Sequence, residues 1–322
     1  MIFRRSPKPA APQPEPAPVP PEAGSAPESA AADGAGAAPA APPETWVPPG
    51  HFYSPIADLA DLKAREAEVF DAEAPLPDVD LRPAAQRALW ERFVAHAARF
   101  SLAATKDEAA AASQRYYAEN DQFGPGDATI YAGMLLEHQP KRLIEVGSGF
   151  SSALFLDINA RFFSGAIEST FIEPYPDRLL SLLSEADKTR TTLRREPVQS
   201  TPLNVFAALE PGDMLFVDST HVAKAGSDVN HLFFRVLPGL KPGVLIHFHD
   251  IFHPFEYPKE WFFDGNRSWN ELYLLRAFMM NNAHYRVLFF NSWFAHRHPE
   301  CENALPNFWK NPGGAFWMRK ER

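Results

Sequence analysis

Cysteine is almost missing from this 322-residue chain, in which Cys301 stands alone. A single thiol excludes an intramolecular disulfide framework and fits a reducing, cytoplasmic setting. With His296 and His298 beside it in a loop it makes a poor zinc site, so that cluster reads as structural or incidental. No apolar run approaches the ~18 residues that a membrane-spanning helix needs. Met1-Ile-Phe-Arg-Arg-Ser-Pro7 carries basic residues but no apolar stretch behind them, so it does not read as a secretory signal. Basic residues are outnumbered, 31 Lys and Arg against 40 Asp and Glu for a formal charge of −9, which excludes the footprint of sequence-independent nucleic-acid binding. Aromatics are absent between Phe3 and Trp46, and residues 1–45 are more than half Pro and Ala. Such a segment cannot bury enough apolar surface to offset its ordering entropy, so a disordered or polyproline-like tail is expected there.

The remainder suits one large α/β domain over 125–322, preceded by an extended and helical segment over 46–124. Trp46-Val-Pro-Pro-Gly-His-Phe-Tyr-Ser-Pro55 is expected to be extended and packed onto the domain. Helical spacing covers 83–101 and, after the Gly124-Pro-Gly126 break, 126–138. From residue 142 short β-type runs recur at 142–146, 169–173, 191–196, 213–218, 243–249, 285–291 and 315–320. Helical patterns at 151–162, 177–187, 202–209, 228–237 and 268–281 separate most of them. Strands alternating with helices imply parallel pairing. The last two runs show no helix between them, so the seventh strand is expected to be antiparallel. In sheets of this kind ligands bind beyond the carboxyl ends of the strands.

The run Arg142-Leu-Ile-Glu-Val-Gly-Ser-Gly-Phe-Ser-Ser152 is a strand, a tight turn and a helix start, a combination that lets backbone approach a nucleotide-like ligand. Glu173 closes the next strand, where a carboxylate can accept bonds from two ribose hydroxyls; the plainer role is to cap the helix at 177. A dinucleotide site wants a third glycine, but Gly147-Ser148-Gly149 is followed by Phe150, Ser151, Ser152 and Ala153. Glu145 adds an acid suited to a cationic amino-acid ligand rather than to a pyrophosphate. The balance favours S-adenosylmethionine over NAD.

On these residues the chain resembles the class I S-adenosylmethionine-dependent methyltransferases. The match runs through Ile144-Glu-Val-Gly-Ser-Gly149, Phe171-Ile-Glu-Pro174, Gly212-Asp-Met-Leu-Phe-Val-Asp218 and Lys241-Pro-Gly-Val-Leu-Ile-His247. It covers about 125–320 and is nearest to the O-methyltransferase-like subgroup that acts on small molecules or sugars. The resemblance implies a Rossmann-like fold with a seven-stranded, mostly parallel sheet of order 3-2-1-4-5-7-6. The candidates to hold the cofactor are Glu145, Gly147, Ser148, Gly149, Ser151, Glu173, Tyr175, Gln199 and Asp218, with Tyr175 either stacking on the adenosine or packed in the core, and Gln199 either at its amine or in an ordinary turn. In catechol O-methyltransferase-like relatives the fourth strand end carries a metal-binding aspartate and a lysine base three residues later. Asp218 takes the first place and His221 stands in the second, a departure that leaves a competent base. A second metal carboxylate follows the fifth strand in those enzymes; here His249-Asp250 occupies that place. A divalent ion (Mg, Mn or another) held by Asp218, His249 and Asp250 is one reading, and Asp250 capping the next segment with the histidines packed on Phe252 and Phe255 is the other.

Lys224 and Asn230 are candidates for orienting the acceptor. Arg115–Phe123 is a candidate cover for the cofactor. The aromatic stretch Phe252–Phe263 would serve as lid, acceptor insertion or contact in a homo-oligomer. The expected activity is O-methylation of a small-molecule or glycan hydroxyl. Its rivals are an NAD-dependent oxidoreductase or epimerase, against which no Tyr-x-x-x-Lys pair exists, and a nucleotide-binding module without turnover.

Overall fold

The computed structural model describes residues 45–322; the tail expected over 1–45 lies outside them but for Thr45. A compact unit spans Val47–Arg322. Its frame is a single sheet of seven strands: β1 (Arg142–Val146), β2 (Glu168–Ile172), β3 (Thr192–Arg194), β4 (Met214–Val217), β5 (Leu245–Phe248), β6 (Tyr285–Phe290) and β7 (Phe316–Lys320). Their order across the sheet is β3-β2-β1-β4-β5-β7-β6. β1 to β5 pair with one another in parallel, and β7 runs antiparallel to both β5 and β6. The architecture is the doubly covered, Rossmann-like one expected, with strand ends displaced by at most two residues.

The central strands read as apolar runs because both faces are covered: every residue of β4 and β5 is buried. The helix Pro125–His138 begins with proline at its first turn and is buried from Gly126 to Leu136. It is apolar nearly all round because it packs between the helices Phe150–Phe163 and Pro83–Ala97. The helix Pro83–Ala97 also reaches β6, where Phe93 meets Phe289 edge-on at 5.2 Å, and the residues just after it, where Trp90 stacks on Phe294 at 4.7 Å.

The parallel strands all end at one edge of the sheet. The residues just past β1, β2, β4 and β5 are Gly147, Glu173, Asp218 and His249, so the fold delivers four sequence-distant groups to a single rim.

Three expectations need correction. The β6–β7 connection is not bare: it holds the helices Asn291–Arg297 and Pro306–Lys310 with a 3₁₀ stretch, Pro299–Ala304, between them. Elements this short and proline-punctuated are too brief to show a helical period. The helical pattern at 177–187 is two helices, Asp177–Leu182 and Glu185–Arg190, the second restarted by a capping box between Ser184 and Asp187. The aromatic segment near 50 is a series of turns, with Phe52 and Tyr53 well exposed rather than packed.

Candidate active site

Two adjoining clefts open on the rim. The wider, about 480 Å³, runs over the ends of β2 and β3 between Ile172, Glu173, Tyr175, Val198 and Gln199. The narrower, about 320 Å³, lies over β4 and β5 and contains Ser148, Gly149, Ser151, His221, His249 and Asp250. They share Gly147, Glu173, Asp218, Ser219 and Thr220. Each falls in the range of roughly 300–1,000 Å³ usual for small-molecule sites.

The wall between them rests on the glycine turn. Gly147 has φ +79°, and a Cβ there would lie 1.7 Å from the Asp218 carbonyl oxygen; only glycine lets β1 and β4 approach so closely. Glu173 is fixed by the backbone, its Oε1 accepting from Tyr175 N at 2.8 Å and its Oε2 from Ser148 N at 3.1 Å. Each oxygen keeps a lone pair for a ligand hydroxyl. Gly149 N donates to Ser152 Oγ and Gly147 N to the Ile172 carbonyl, so all three N–H groups of the turn are already used. The turn therefore supplies room more than donors. Tyr175 is 85% exposed at the rim of the wider cleft, which removes the alternative of plain core packing. Gln199 lines the same cleft and donates to the Gly226 carbonyl at 3.0 Å.

Glu145 is not brought to either cleft. It is fully buried beneath the turn, where Ser151 and Ser152 donate to its Oε1 while Oε2 has no partner. Burial pushes its pKa to about 8 against those two hydrogen bonds. The direct contact expected between this acid and a cationic ligand is thus absent, because the serine hydroxyls that open the helix have claimed it.

In the narrower cleft Asp218, His221 and Asp250 converge, with one ligand atom from each lying within 4.8 Å of the others. His221 Nε2 is 3.3 Å from Asp218 Oδ1 and 3.5 Å from Asp250 Oδ2, and its Nδ1 pairs with Glu271 at 2.9 Å. Both His221 (φ +59°) and Asp250 (φ +56°) occupy the left-handed region, a strain that proteins concentrate at functional sites. The expected metal set named His249, but geometry substitutes His221. His249 lies in the cleft wall against the Phe123 ring at 5.2 Å, with Nε2 3.7 Å from Asp250 and Nδ1 unpartnered. His247 is a core aromatic, stacked on Phe216 at 3.9 Å, and burial drives its pKa well below the usual value.

The electrostatics are acid-rich. Burial would raise the Asp218 carboxyl, but His249 and His221 outweigh it and hold the group below its ordinary value. Asp250 is raised by burial despite the same two histidines. His221 is raised well above its ordinary value: burial opposes the charge, and Asp218 and Glu271 overcome it. Behind His249, burial raises Asp127 to about 7. Glu173, Asp218 and Asp250 line the cleft beside His221, His249 and Arg178, and its Asp218–His221–Asp250 corner is the part suited to a cation. One imidazole and two carboxylates are a donor set for Mn, Fe or Zn as well as Mg, which prefers oxygen alone.

Several contributors carried no sequence signal. Glu271 opens a helix, Trp269 lies 4.5 Å above the His221 ring, and Asp228 pins Thr220 through its N and Oγ1. Arg178 enters the narrow cleft beside Gln122, to which it donates at 2.9 Å. Of the looser candidates, Lys224 lines the wider cleft, while Asn230 turns away to the Lys224 carbonyl. Gln122 and Phe123 reach the narrow cleft, their segment tied down by Arg115 pairing with Asp157 and Asp187, each at 2.7 Å. The stretch 252–263 buries Phe255, Tyr257 and Phe262, and its Trp261 meets Trp269 at 5.2 Å; it is a packed support for the site rather than a loose lid. Cys301 accepts from Arg87, and His296 and His298 pair with Glu73 and Glu300, which makes that cluster structural.

A methyltransferase-domain family model matches residues 144–251, the span that carries the glycine turn, Glu173 and the Asp218–His221–Asp250 cluster. An uncharacterised protein of Archaeoglobus fulgidus is 32% identical over 167 residues, which is 51% of this chain and 73% of that protein. Among solved structures, a Bacillus cereus O-methyltransferase in complex with S-adenosylhomocysteine is 15% identical, with 82% of this chain and 100% of that one covered at a TM-score of 0.41. A Podospora anserina methyltransferase bound to the same compound is 16% identical, covering 87% and 100% at a TM-score of 0.40. Residues 144–251 thus match a methyltransferase-domain family, and the sheet order is the one that the resemblance implies for it. Among the described residues no helix is long and apolar enough to cross a membrane.

Proposed function

We propose that the protein transfers the methyl group of S-adenosylmethionine to a hydroxyl of a small-molecule or glycan acceptor, with a divalent cation held by Asp218, His221 and Asp250. Residues 125–322 form the methyltransferase domain in this reading and 46–124 an extension of it. The observation that carries it is the shared wall: Glu173 and Asp218 belong to both clefts, so a nucleoside in the wider one abuts an acidic pocket in the narrower. The adenosine sits on Ile172 and Val198 with Tyr175 at its edge, its ribose hydroxyls on Glu173 and its amine near Gln199. The methionyl end passes over Gly147 toward Ser148, Gly149 and Ser151. The acid-rich surroundings favour a sulfonium and disfavour a pyrophosphate, and the turn's committed N–H groups point the same way.

The reaction is an in-line displacement in which the acceptor oxygen bonds to the methyl carbon while the carbon–sulfur bond breaks and its electron pair returns to sulfur. A bound divalent ion supplies Lewis acidity that lowers the pKa of an alcohol. The protein aligns acceptor and methyl group across the shared wall. His221, expected as the base, serves better as a ligand: Nδ1 is committed to Glu271 and Nε2 faces two carboxylates. His249, which lines the cleft with its Nδ1 unpartnered and stands outside the cation set, is the proton acceptor left there.

A thermal-shift panel tests this. S-adenosylmethionine, S-adenosylhomocysteine and Mn²⁺ should each raise the melting temperature, and NAD should not. Stabilisation by NAD with indifference to S-adenosylhomocysteine would sink the assignment.

A further inference from the structure

We infer that Glu271 is a positioning residue: it fixes His221 so that Nε2 faces the space between Asp218 and Asp250. The inference rests on the proposed cation site and adds a residue that does not line the cleft. Glu271 is fully buried, and its Oε2 is 2.9 Å from His221 Nδ1. That bond assigns the Nδ1 proton to the Glu271 side and leaves Nε2 as the nitrogen that turns to the cleft. Orientation of a ligand imidazole by a carboxylate on its other nitrogen sets ring angle and basicity together.

The grip extends to the backbone. Asn270 N and Glu271 N both donate to the His221 carbonyl, at 3.0 and 3.1 Å. The Asn270 amide closes on Ala223 from both sides, its Oδ1 accepting from Ala223 N at 2.6 Å and its Nδ2 donating to Ala223 O at 3.3 Å. His221 sits at φ +59°, a conformation a non-glycine residue holds only when its surroundings over-determine it. The start of the helix Glu271–Met279 supplies that constraint, and Trp269 covers the ring from above at 4.5 Å. One short segment, 269–271, thus sets the backbone, the ring plane and the tautomer of a single cleft residue fifty positions earlier in the chain.

The test is calorimetric titration of the full chain with Mn²⁺ and, separately, with S-adenosylhomocysteine, for wild type, Glu271→Ala and Glu271→Gln. Removing an outer-shell partner of this kind costs about 10–100-fold in metal affinity. Glu271→Ala should show that loss and Glu271→Gln, which keeps an oxygen to accept from Nδ1, a smaller one. Both should bind S-adenosylhomocysteine within about twofold of wild type, because Glu271 does not touch the nucleoside cleft. If Glu271→Ala fails to fold, the near-isosteric Gln variant decides alone, read also through the His221 Nδ1–H proton resonance, which should move upfield. Wild-type Mn²⁺ affinity in a folded Glu271 variant would overturn the positioning role and leave the cation site standing. Wild-type protein that binds no Mn²⁺ would overturn both, with the nucleoside titration showing whether the methyltransferase reading survives.

Discussion

The two clefts share a wall but are built from different material. The wider one is apolar below (Ile172, Val198), open at the rim (Tyr175), and carries two backbone-pinned carboxylates, Glu173 and Asp228. The narrower one is crowded with ionisable groups that perturb one another: Asp218, His221, His249 and Asp250, backed by Glu271 and Asp127. The first is arranged to accept a neutral, planar, hydroxylated body, and the second to concentrate negative charge. A methyl donor that is a nucleoside at one end and a sulfonium at the other needs both kinds of wall within one ligand's length. The division of labour is therefore chemical as well as spatial, and it can be attacked one wall at a time.

The severest test strikes the shared residue. Asp218→Asn removes a charge that both clefts use, and methyl transfer should fall by about 10²–10³-fold or more, the cost of deleting a fixed charge from a reaction centre. Initial rates of S-adenosylhomocysteine formation read it, with an unchanged melting temperature as control; full activity would end the case for the acidic cleft. Next is the wall itself. Gly147→Ala places a Cβ 1.7 Å from the Asp218 carbonyl at φ +79°, so a loss of about 3 kcal/mol or more in stability is expected, seen as a melting point lowered by about 10 °C. A variant as stable as wild type would mean that β1 and β4 do not approach so closely. Smaller again is Glu173→Ala, which should weaken S-adenosylmethionine binding by ~1–3 kcal/mol while leaving Mn²⁺ affinity unchanged. If calorimetry finds both affinities reduced alike, the clefts are not separable.

The sheet was legible because a doubly covered parallel strand advertises itself as an apolar run, and because Gly147, Glu173, Asp218 and Asp250 each follow such a run. Strand ends in a parallel sheet converge whatever their distance in sequence, so the rim could be assembled from spacing alone. Which histidine turns inward was not legible. His249 follows β5 directly and stood in the expected ligand set; the positive φ of His221 and its bond to Glu271 bring that ring's Nε2 beside Asp218 and Asp250, and neither leaves a local trace. Glu271 lies in an ordinary helical pattern, so nothing marked it. The surroundings of Glu145 were equally hidden: its place before the glycines suggested a ligand contact, while Ser151 and Ser152, in the first turn of the next helix, bond one of its oxygens from inside.

That burial leads to the effect with the most specific sign. Glu145 is fully buried with a pKa of about 8, against an ordinary value of 4.5. Between those two values the unfolded chain releases its proton and the folded one retains it, so the folded state binds more protons and stability must fall as pH rises. Above about 8 both states are ionised and the contribution levels off. Glu145→Gln keeps an oxygen for Ser151 and Ser152 and carries no charge to expose, so it should escape this loss. The difference in melting temperature, variant minus wild type, should grow steadily from pH 5 to pH 8. Parallel melting curves across that range would mean that Glu145 is ionised in the fold. Its carboxylate would then be an unscreened charge directly beneath the glycine turn, and the turn would have to be counted with the acidic cleft rather than with the neutral one.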